Sequence, residues 1–89
     1  MAGKPTVSVG RVRQKIREAL NIRPGSGKTE SMLEEMVNEL VGGGVSLQEI
    51  RDAIKWNHDQ VFIRSEYDDE AEVTEWFITG LGIEQENIK

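Results

Sequence analysis

Residues 29–57 read TESMLEEMVNELVGGGVSLQEIRDAIKWN, and this stretch predicts two helices joined by a tight glycine turn. In its first half the apolar residues recur at helical spacing, as Met32, Leu33, Met36, Val37, Leu40 and Val41. Ser31 and Glu34 fit a capping box, which predicts that the first helix begins near Ser31. Gly42, Gly43 and Gly44 end it, because glycine enters the left-handed backbone region without steric penalty.

The second helix of the pair is predicted to begin directly after the glycines. Ser46 and Glu49 form a second capping box, and Val45 lies where it can pack on Ile50 as a hydrophobic staple. The apolar stripe of this helix is Leu47, Ile50, Ala53 and Ile54. Two helices joined by so few residues cross at an angle, which is typical of a helix-turn-helix.

Residues 40–54, LVGGGVSLQEIRDAI, resemble the core of helix-turn-helix and winged-helix DNA-binding domains. In those families a glycine, an aliphatic residue and Ser or Thr form the turn, and Glu and an aliphatic residue follow on the second helix. Leu40 stands where a small residue is usual, and three glycines stand where one suffices, which favours the looser winged form. The resemblance implies that the second helix reads double-stranded DNA.

The chain before this pair is basic and the remainder is acidic. Residues 1–28 hold seven basic side chains against Glu18 alone, and residues 29–89 hold four basic side chains against fifteen acidic ones. Residues 1–8 are expected to be a flexible lead, or an edge strand through residues 6–9. A first helix is then predicted from Val9 to Leu20, with Val9, Val12, Ile16, Ala19 and Leu20 on its inner side.

The outer side of that first helix is cationic. The basic side chains assigned to it or to its flanks are Arg11, Arg13, Lys15 and Arg17. They indicate contact with DNA phosphates, or else a solvated face that balances the acidic remainder of the chain.

Residues 23–29, RPGSGKT, superficially resemble a phosphate-binding loop, but the spacing excludes that interpretation. A Walker A loop needs a glycine where this chain has Ile22, and it follows a strand rather than a helix. Pro24 and Gly25 are typical of a helix stop and a turn, so a mobile linker is expected here.

The region after Asn57 allows two interpretations. Residues 60–67, QVFIRSEY, are rich in β-branched and aromatic residues, which predicts a strand. Residues 73–79 could pair with it as the second strand of a wing. Alternatively, Asp69 caps a helix with Val73, Trp76, Phe77, Gly80 and Leu81 on one face. We favour the helix over residues 69–80, because the connection lacks the Gly or Asn of tight hairpins. Residues 83–89 are expected to be a frayed tail.

Enzymatic chemistry and cofactors are not indicated. The chain has no cysteine and one histidine, His58, so most nucleophilic and acid–base constellations are unavailable. Asp59 beside His58 does not make a metal site, and the acidic residues 66–75 lack the spacing of a calcium-binding loop. We therefore predict a protein without enzymatic activity, metal or cofactor.

The predicted fold is mainly α: a small helix-turn-helix-like bundle of three to four helices, with a short β-strand or wing near residues 60–67. With 89 residues we expect one helical domain over residues 9–82 around the pair at 29–57. The sequence has no run of apolar residues long enough for a signal peptide or a membrane span, and it has no cysteine. These features predict a cytoplasmic protein.

Two functions fit these features. The first is a small DNA-binding regulator with phosphate contacts from the first helix. Its groove-facing residues are Gln48, Arg51, Lys55, Asn57 and His58. Glu49 and Asp52 on the same helix, and the acidic net charge, oppose it. We favour it because the turn and the double capping box are specific features.

The second function is a small acidic adaptor or inhibitor of the kind that phages and plasmids encode. It would dock on a basic protein partner through an acidic surface formed by Glu66, Asp68, Asp69, Glu70, Glu72 and Glu75. Acidity is common among proteins, so this alternative ranks second. Either function is compatible with a homodimer, since small domains gain buried area by pairing and operators are commonly two-fold.

Overall fold

Four helices and one β-hairpin follow one another along residues 7–88, the part of the chain that the computed structural model describes. They are α1 (Val9–Asn21), α2 (Glu30–Val41), α3 (Leu47–Asp59), β1 (Ile63–Asp68), β2 (Val73–Ile78) and α4 (Gly80–Glu86). The expected mainly helical bundle with a short β element near residues 60–67 is confirmed.

The core lies where α1 meets α2 and α3, closed at one end by the hairpin. Its buried side chains are Val12, Ile16, Ala19, Leu20, Leu33, Val37, Val45, Ile50, Ala53, Ile54, Ile63 and Ile78. The helical periodicity of the sequence predicts most of this set. Val9, which was expected on the inner side of α1, is 63% exposed because it is the first residue of that helix.

Helix α2 begins earlier than its sequence predicts. The cap is Thr29, whose Oγ1 accepts from the Met32 backbone N–H at 3.3 Å, whereas Ser31 is exposed within the helix. The expectation that Ser31 caps this helix is therefore wrong. The backbone of Lys28 is paired with that of Trp76, so the extended chain turns into the helix at Thr29.

Three successive glycines in left-handed conformations connect α2 to α3. Gly42, Gly43 and Gly44 have φ angles of 86°, 96° and 92°, a run that side-chain-bearing residues would not tolerate. The side-chain amide of Asn38 stabilises the turn through two hydrogen bonds to the backbone of Val45. Its Oδ1 accepts from Val45 N at 2.8 Å, and its Nδ2 donates to Val45 O at 3.0 Å. At the start of α3, the predicted Ser46–Glu49 capping box is confirmed.

The hairpin pairs β1 with β2 in antiparallel register, from Ile63 opposite Ile78 to Asp68 opposite Val73. The preferred helix over residues 69–80 is therefore wrong. The turn forms without Gly or Asn because the Asp68 carboxylate accepts from the Glu70 and Ala71 N–H groups, and Glu72 adopts a φ of 55°.

Residues 23–29, expected to be a mobile linker, are instead tied to the hairpin. Lys28 and Trp76 exchange two backbone hydrogen bonds of 3.0 and 2.8 Å, which form an isolated antiparallel bridge. Gly27 lies under the Phe77 ring, and a Cβ built there would come within 2.5 Å of the ring. Short β pairing thus fixes the hairpin beside the start of α2.

The two ends of the chain also differ from expectation. Residues 83–86 belong to α4 rather than to a frayed tail, and Gly80 begins this helix instead of ending one. Thr79 caps it by accepting from Gly82 N at 3.1 Å and donating to Val61 O at 2.7 Å. Of the predicted lead, residues 1–6 lie outside the described residues, and Ser8 is the cap of α1.

Candidate nucleic-acid interface

The outward face of α3 carries most of the polar residues that the sequence predicts to meet a DNA groove. Gln48, Arg51 and Lys55 are exposed at spacings of three and four residues, so they lie on one side of the helix. Asp52 and Asp59 are exposed beside them. The face therefore alternates donors and acceptors rather than presenting a uniform positive charge.

Carboxylates already bind both cations of this face. Arg51 Nε donates to Glu30 Oε2 at 2.9 Å, and Lys55 Nζ donates to Asp59 Oδ2 at 2.9 Å. These hydrogen bonds raise the pKa of Arg51 and of Lys55 above their ordinary values. Gln48 donates to Asp52 at 2.9 Å. In the free protein the donors of α3 are thus engaged within the chain.

Asn57 does not belong to this outward face. Its side chain is fully buried at 0% exposure, where Nδ2 donates to the backbone oxygens of Arg13 and Ala53 and Oδ1 accepts from Arg17. Its predicted position facing a groove is therefore wrong. The sequence does contain the signal, since Asn57 extends the inward stripe of Ile50, Ala53 and Ile54 by one more helical step.

His58 is exposed in the last turn of α3 and connects that helix to the hairpin. Its ring lies edge-on to Trp76, with 5.7 Å between the centroids and 79° between the planes. Because Trp76 also pairs through its backbone with Lys28, the end of α3, the start of α2 and strand β2 meet at this place. His58 therefore lies where the α3 face adjoins the hairpin.

Of the four basic residues of α1, one is exposed and the other three already contact other side chains of the protein. Arg11 is exposed, whereas the Arg13 guanidinium stacks 4.5 Å from the Trp56 ring centre. Lys15 donates to Glu18 at 2.7 Å, and this hydrogen bond lowers the pKa of Glu18. Arg17 is only 7% exposed, so its predicted place on the outer face is wrong.

Helix α1 runs beside the start of α3. A cavity between the two helices is lined by Val9, Val12, Arg13, Glu49, Asp52 and Ala53. The first turns of α1, with Arg11, are therefore next to the first turns of α3. Arg11 is exposed on this turn of α1 but is not among the residues that line the cavity.

The two faces of the hairpin differ in charge. Since side chains alternate along a strand, the residues that share a face with the buried Ile63 and Ile78 are Ser65, Tyr67, Thr74 and Trp76. This inner face is uncharged, and through Trp76 it contacts His58 of α3. The outer face carries Arg64, Glu66, Asp68, Val73, Glu75 and Phe77.

The predicted acidic surface gathers on that outer face and at the hairpin tip. Glu66 lies directly opposite Glu75 in the register, and Asp68, Asp69, Glu70 and Glu72 follow at the tip. Glu66 also pairs with Arg64 on its own strand, and Arg64 stacks 4.4 Å from the Phe77 ring centre. Glu66, Asp68 and Glu75 thus lie on the face opposite to the one that contacts α3.

No protein-family model matches the chain, and no curated protein matches it. Solved structures do. The chain is similar to a MarR-family transcriptional regulator from Silicibacter pomeroyi, with a TM-score of 0.72 and 15% identity over 89% of this chain and 49% of that one. It is also similar to F93 from STIV, a winged-helix DNA-binding protein, with a TM-score of 0.68 and 19% identity over 82% and 76% of the two chains.

A third similar structure is a cysteine-to-serine mutant of ZitR from Lactococcus lactis. Its TM-score is 0.66, with 17% identity over 96% of this chain and 53% of that one.

The fold is a winged helix. In this fold α2 and α3 are the helix-turn-helix and the hairpin is the wing. The chain spans about half the length of the MarR-family regulator and of ZitR. Across residues 7–88 the helices are too short and too polar to cross a membrane.

Proposed function

We propose that this winged-helix protein is a small DNA-binding regulator whose helix α3 enters the major groove. The observation that carries the proposal is the position of Gln48, Arg51 and Lys55 on one exposed side of the second helix of the helix-turn-helix. In that motif the second helix lies in the groove and its side chains contact base edges. Glutamine and arginine are suited to adenine and guanine edges respectively.

The wing supports this function despite the acidic net charge. Its inner face offers the hydroxyl groups of Ser65, Tyr67 and Thr74, which can donate to phosphate oxygens without a charge penalty. Its carboxylates at Glu66 and Glu75 lie on the opposite face. DNA on the α3 side would therefore meet a neutral surface on the strands of the wing, while Glu66 and Glu75 point away from it.

Phosphate contacts come from α1. Arg11 is the exposed residue of the predicted set, and it precedes Arg13 and Lys15, which would have to leave Trp56 and Glu18 to reach a phosphate. Arg17 is not part of this proposal, because Glu86 and Asn57 already bind its guanidinium. His58 at the border of α3 and the wing completes the candidate set.

Fluorescence anisotropy of labelled random duplex DNA, at low and at moderate salt, tests the function. We expect saturable binding that weakens steeply with salt. The Arg51→Ala with Lys55→Ala variant should weaken binding at least about tenfold, because each groove or phosphate contact contributes on the order of 1–3 kcal/mol.

The matched control is Arg23→Ala with Arg64→Ala, which removes the same charge from outside the α3 face. Equal losses in the two double variants would show that only net charge matters and would contradict the role of α3. Absence of wild-type binding at low salt would refute DNA binding by this chain.

A second candidate function is supported by one observation, the juxtaposition of Glu66 and Glu75. Like charges directly opposite each other across a hairpin are destabilising. A basic protein partner docking on the outer wing face would relieve that repulsion. In this case Glu66→Gln with Glu75→Gln should abolish capture of the partner in a pull-down, and Arg51→Ala with Lys55→Ala should leave it intact.

The oligomeric state and the cellular location belong to the same proposal. A homodimer would place two copies of α3 on a two-fold operator, one helical turn of DNA apart. We propose that such a dimer acts in the cytoplasm. Sedimentation of the free protein and of its DNA complex would show whether one or two copies bind each site, and a single copy per site would contradict the dimer.

A further inference from the structure

The ion pair between Arg51 and Glu30 joins the two helices of the helix-turn-helix. Glu30 is the first residue of α2 and Arg51 is the fifth residue of α3, and the donor and acceptor atoms are 2.9 Å apart. The other cation of the α3 face, Lys55, pairs with Asp59 inside its own helix. The Glu30 pair therefore connects the reading helix to the helix that precedes it.

Glu30 is held at its place by the helix it begins. A carboxylate in the first turn of a helix is stabilised by the free N–H groups and the positive end of the helix dipole. Arg51, by contrast, projects from the middle of α3 on a long flexible side chain. In the pair it is therefore the arginine that moves, while the carboxylate keeps its position.

Both side chains remain open to solvent and to an approaching ligand. Their exposed fractions are 53% for Arg51 and 37% for Glu30, so DNA can reach the guanidinium without opening the core. Exposed ion pairs of this kind contribute little to stability and exchange readily. Breaking the pair therefore has almost no effect on the stability of the fold. While it is intact, however, the pair neutralises the central cation of the α3 face.

We propose that Glu30 is an intramolecular competitor for Arg51 and thereby restrains DNA binding by α3. This inference rests on the proposed DNA-binding function. A phosphate or a guanine edge has to displace the Glu30 carboxylate from Nε, or share the guanidinium with it. Until that happens, DNA meets a neutral pair in place of a cation, which weakens long-range attraction.

The test compares four substituted chains with the wild type by anisotropy on labelled random duplex DNA at low salt. They are Glu30→Gln, Glu35→Gln, Arg51→Gln and the double variant Glu30→Gln with Arg51→Gln. Glu35 is the matched control, since it is an exposed glutamate of the same helix and takes part in no ion pair among residues 7–88. Far-UV circular dichroism checks that each chain is folded.

We expect Glu30→Gln to tighten DNA binding about two- to fivefold beyond the effect of Glu35→Gln, the range set by the strength of an exposed pair. In the Arg51→Gln background this extra gain should vanish, because no arginine is left to release. A gain that persists there would mean that Glu30 merely repels phosphates, and it would overturn the competition.

The outcomes also separate this inference from the proposed function. If the wild type binds DNA but Glu30→Gln gains no more than Glu35→Gln, competition is refuted and DNA binding stands. If none of the five chains binds DNA at low salt, both are refuted. If Glu30→Gln binds more tightly than both the wild type and Glu35→Gln, and the double variant binds no more tightly than Arg51→Gln, competition is supported.

Discussion

Arg17 Nε donates to Glu86 Oε2 at 3.0 Å, and this buried ion pair joins the first helix of the chain to the last. Both side chains are only 8% exposed. Gln14 donates to the other carboxylate oxygen at 2.8 Å, and Arg17 Nη1 donates to Asn57 Oδ1 at 2.9 Å. The network thus connects α1, α4 and the last turn of α3, and each of its charged or polar groups has a hydrogen-bond partner.

Removing one partner of this network is expected to destabilise the fold strongly. Glu86→Ala leaves the Arg17 guanidinium buried without its counter-charge, which costs about 3 kcal/mol or more of the free energy of unfolding. Urea denaturation measures this loss. Glu84→Ala is the control, because Glu84 is exposed on the same helix, and it should change stability by less than about 0.5 kcal/mol. Equal effects of the two substitutions would contradict a structural role for the pair.

The same network shows where sequence reasoning succeeds and where it stops. The periodicity of α1 and α3 predicts their apolar stripes, because burial and helical spacing are both local properties. Arg17 looks like a surface residue in the sequence, and its hydrogen bonds to Glu86 and Asn57 across the fold make its burial favourable. A partner 69 positions away along the chain leaves no local signal.

The helix favoured over residues 69–80 and the predicted cap at Ser31 are wrong for two different reasons. Asp68 and Glu72 form the turn through a side-chain hydrogen bond and a left-handed φ, which replace the usual glycine. Thr29 becomes the cap because Lys28 is paired with Trp76, far away in sequence. Of the candidate interface, Gln48, Arg51 and Lys55 follow from spacing alone, whereas the division of the wing into two faces depends on register.

The two serines that fit capping boxes in the sequence should respond differently to substitution. Ser46→Ala removes the hydrogen bond from Glu49 N and should reduce the free energy of unfolding by about 1 kcal/mol. Ser31→Ala should have almost no effect, because Ser31 is an exposed residue inside α2. Thermal or urea unfolding of both variants measures the difference. A larger loss of unfolding free energy for Ser31→Ala than for Ser46→Ala would indicate that Ser31 caps α2.

Two glycines of α4 provide a second matched comparison. A Cβ at Gly82 would lie 2.1 Å from the carbonyl oxygen of Phe62, so Gly82→Ala forces α4 away from the start of the wing. We expect a loss of about 2 kcal/mol or more. At Gly80 a Cβ meets nothing within 4 Å, so Gly80→Ala should be neutral or slightly stabilising. Equal stability of the two variants by urea denaturation would contradict this packing.

Acid should weaken the Lys15–Glu18 contact on α1. The hydrogen bond from Lys15 holds the pKa of Glu18 below its ordinary value, so the contact stabilises the fold above that value. Its contribution is lost as the pH falls through the lowered pKa in the folded protein. The free energies of unfolding of the wild type and of Glu18→Gln, measured as a function of pH, should therefore converge in acid. Parallel curves would show that this carboxylate does not contribute.

Adjacent residues on opposite faces of the wing test which face meets DNA. Thr74 lies on the inner face beside Trp76, and Val73 lies on the outer face opposite Asp68. Thr74→Asp places a negative charge toward the DNA and should weaken binding about three- to tenfold at low salt. Val73→Asp adds the same charge to the same strand but points it away, so it should change binding little. Anisotropy on one duplex compares the two directly, and a greater loss for Val73→Asp would reverse the proposed orientation of the wing.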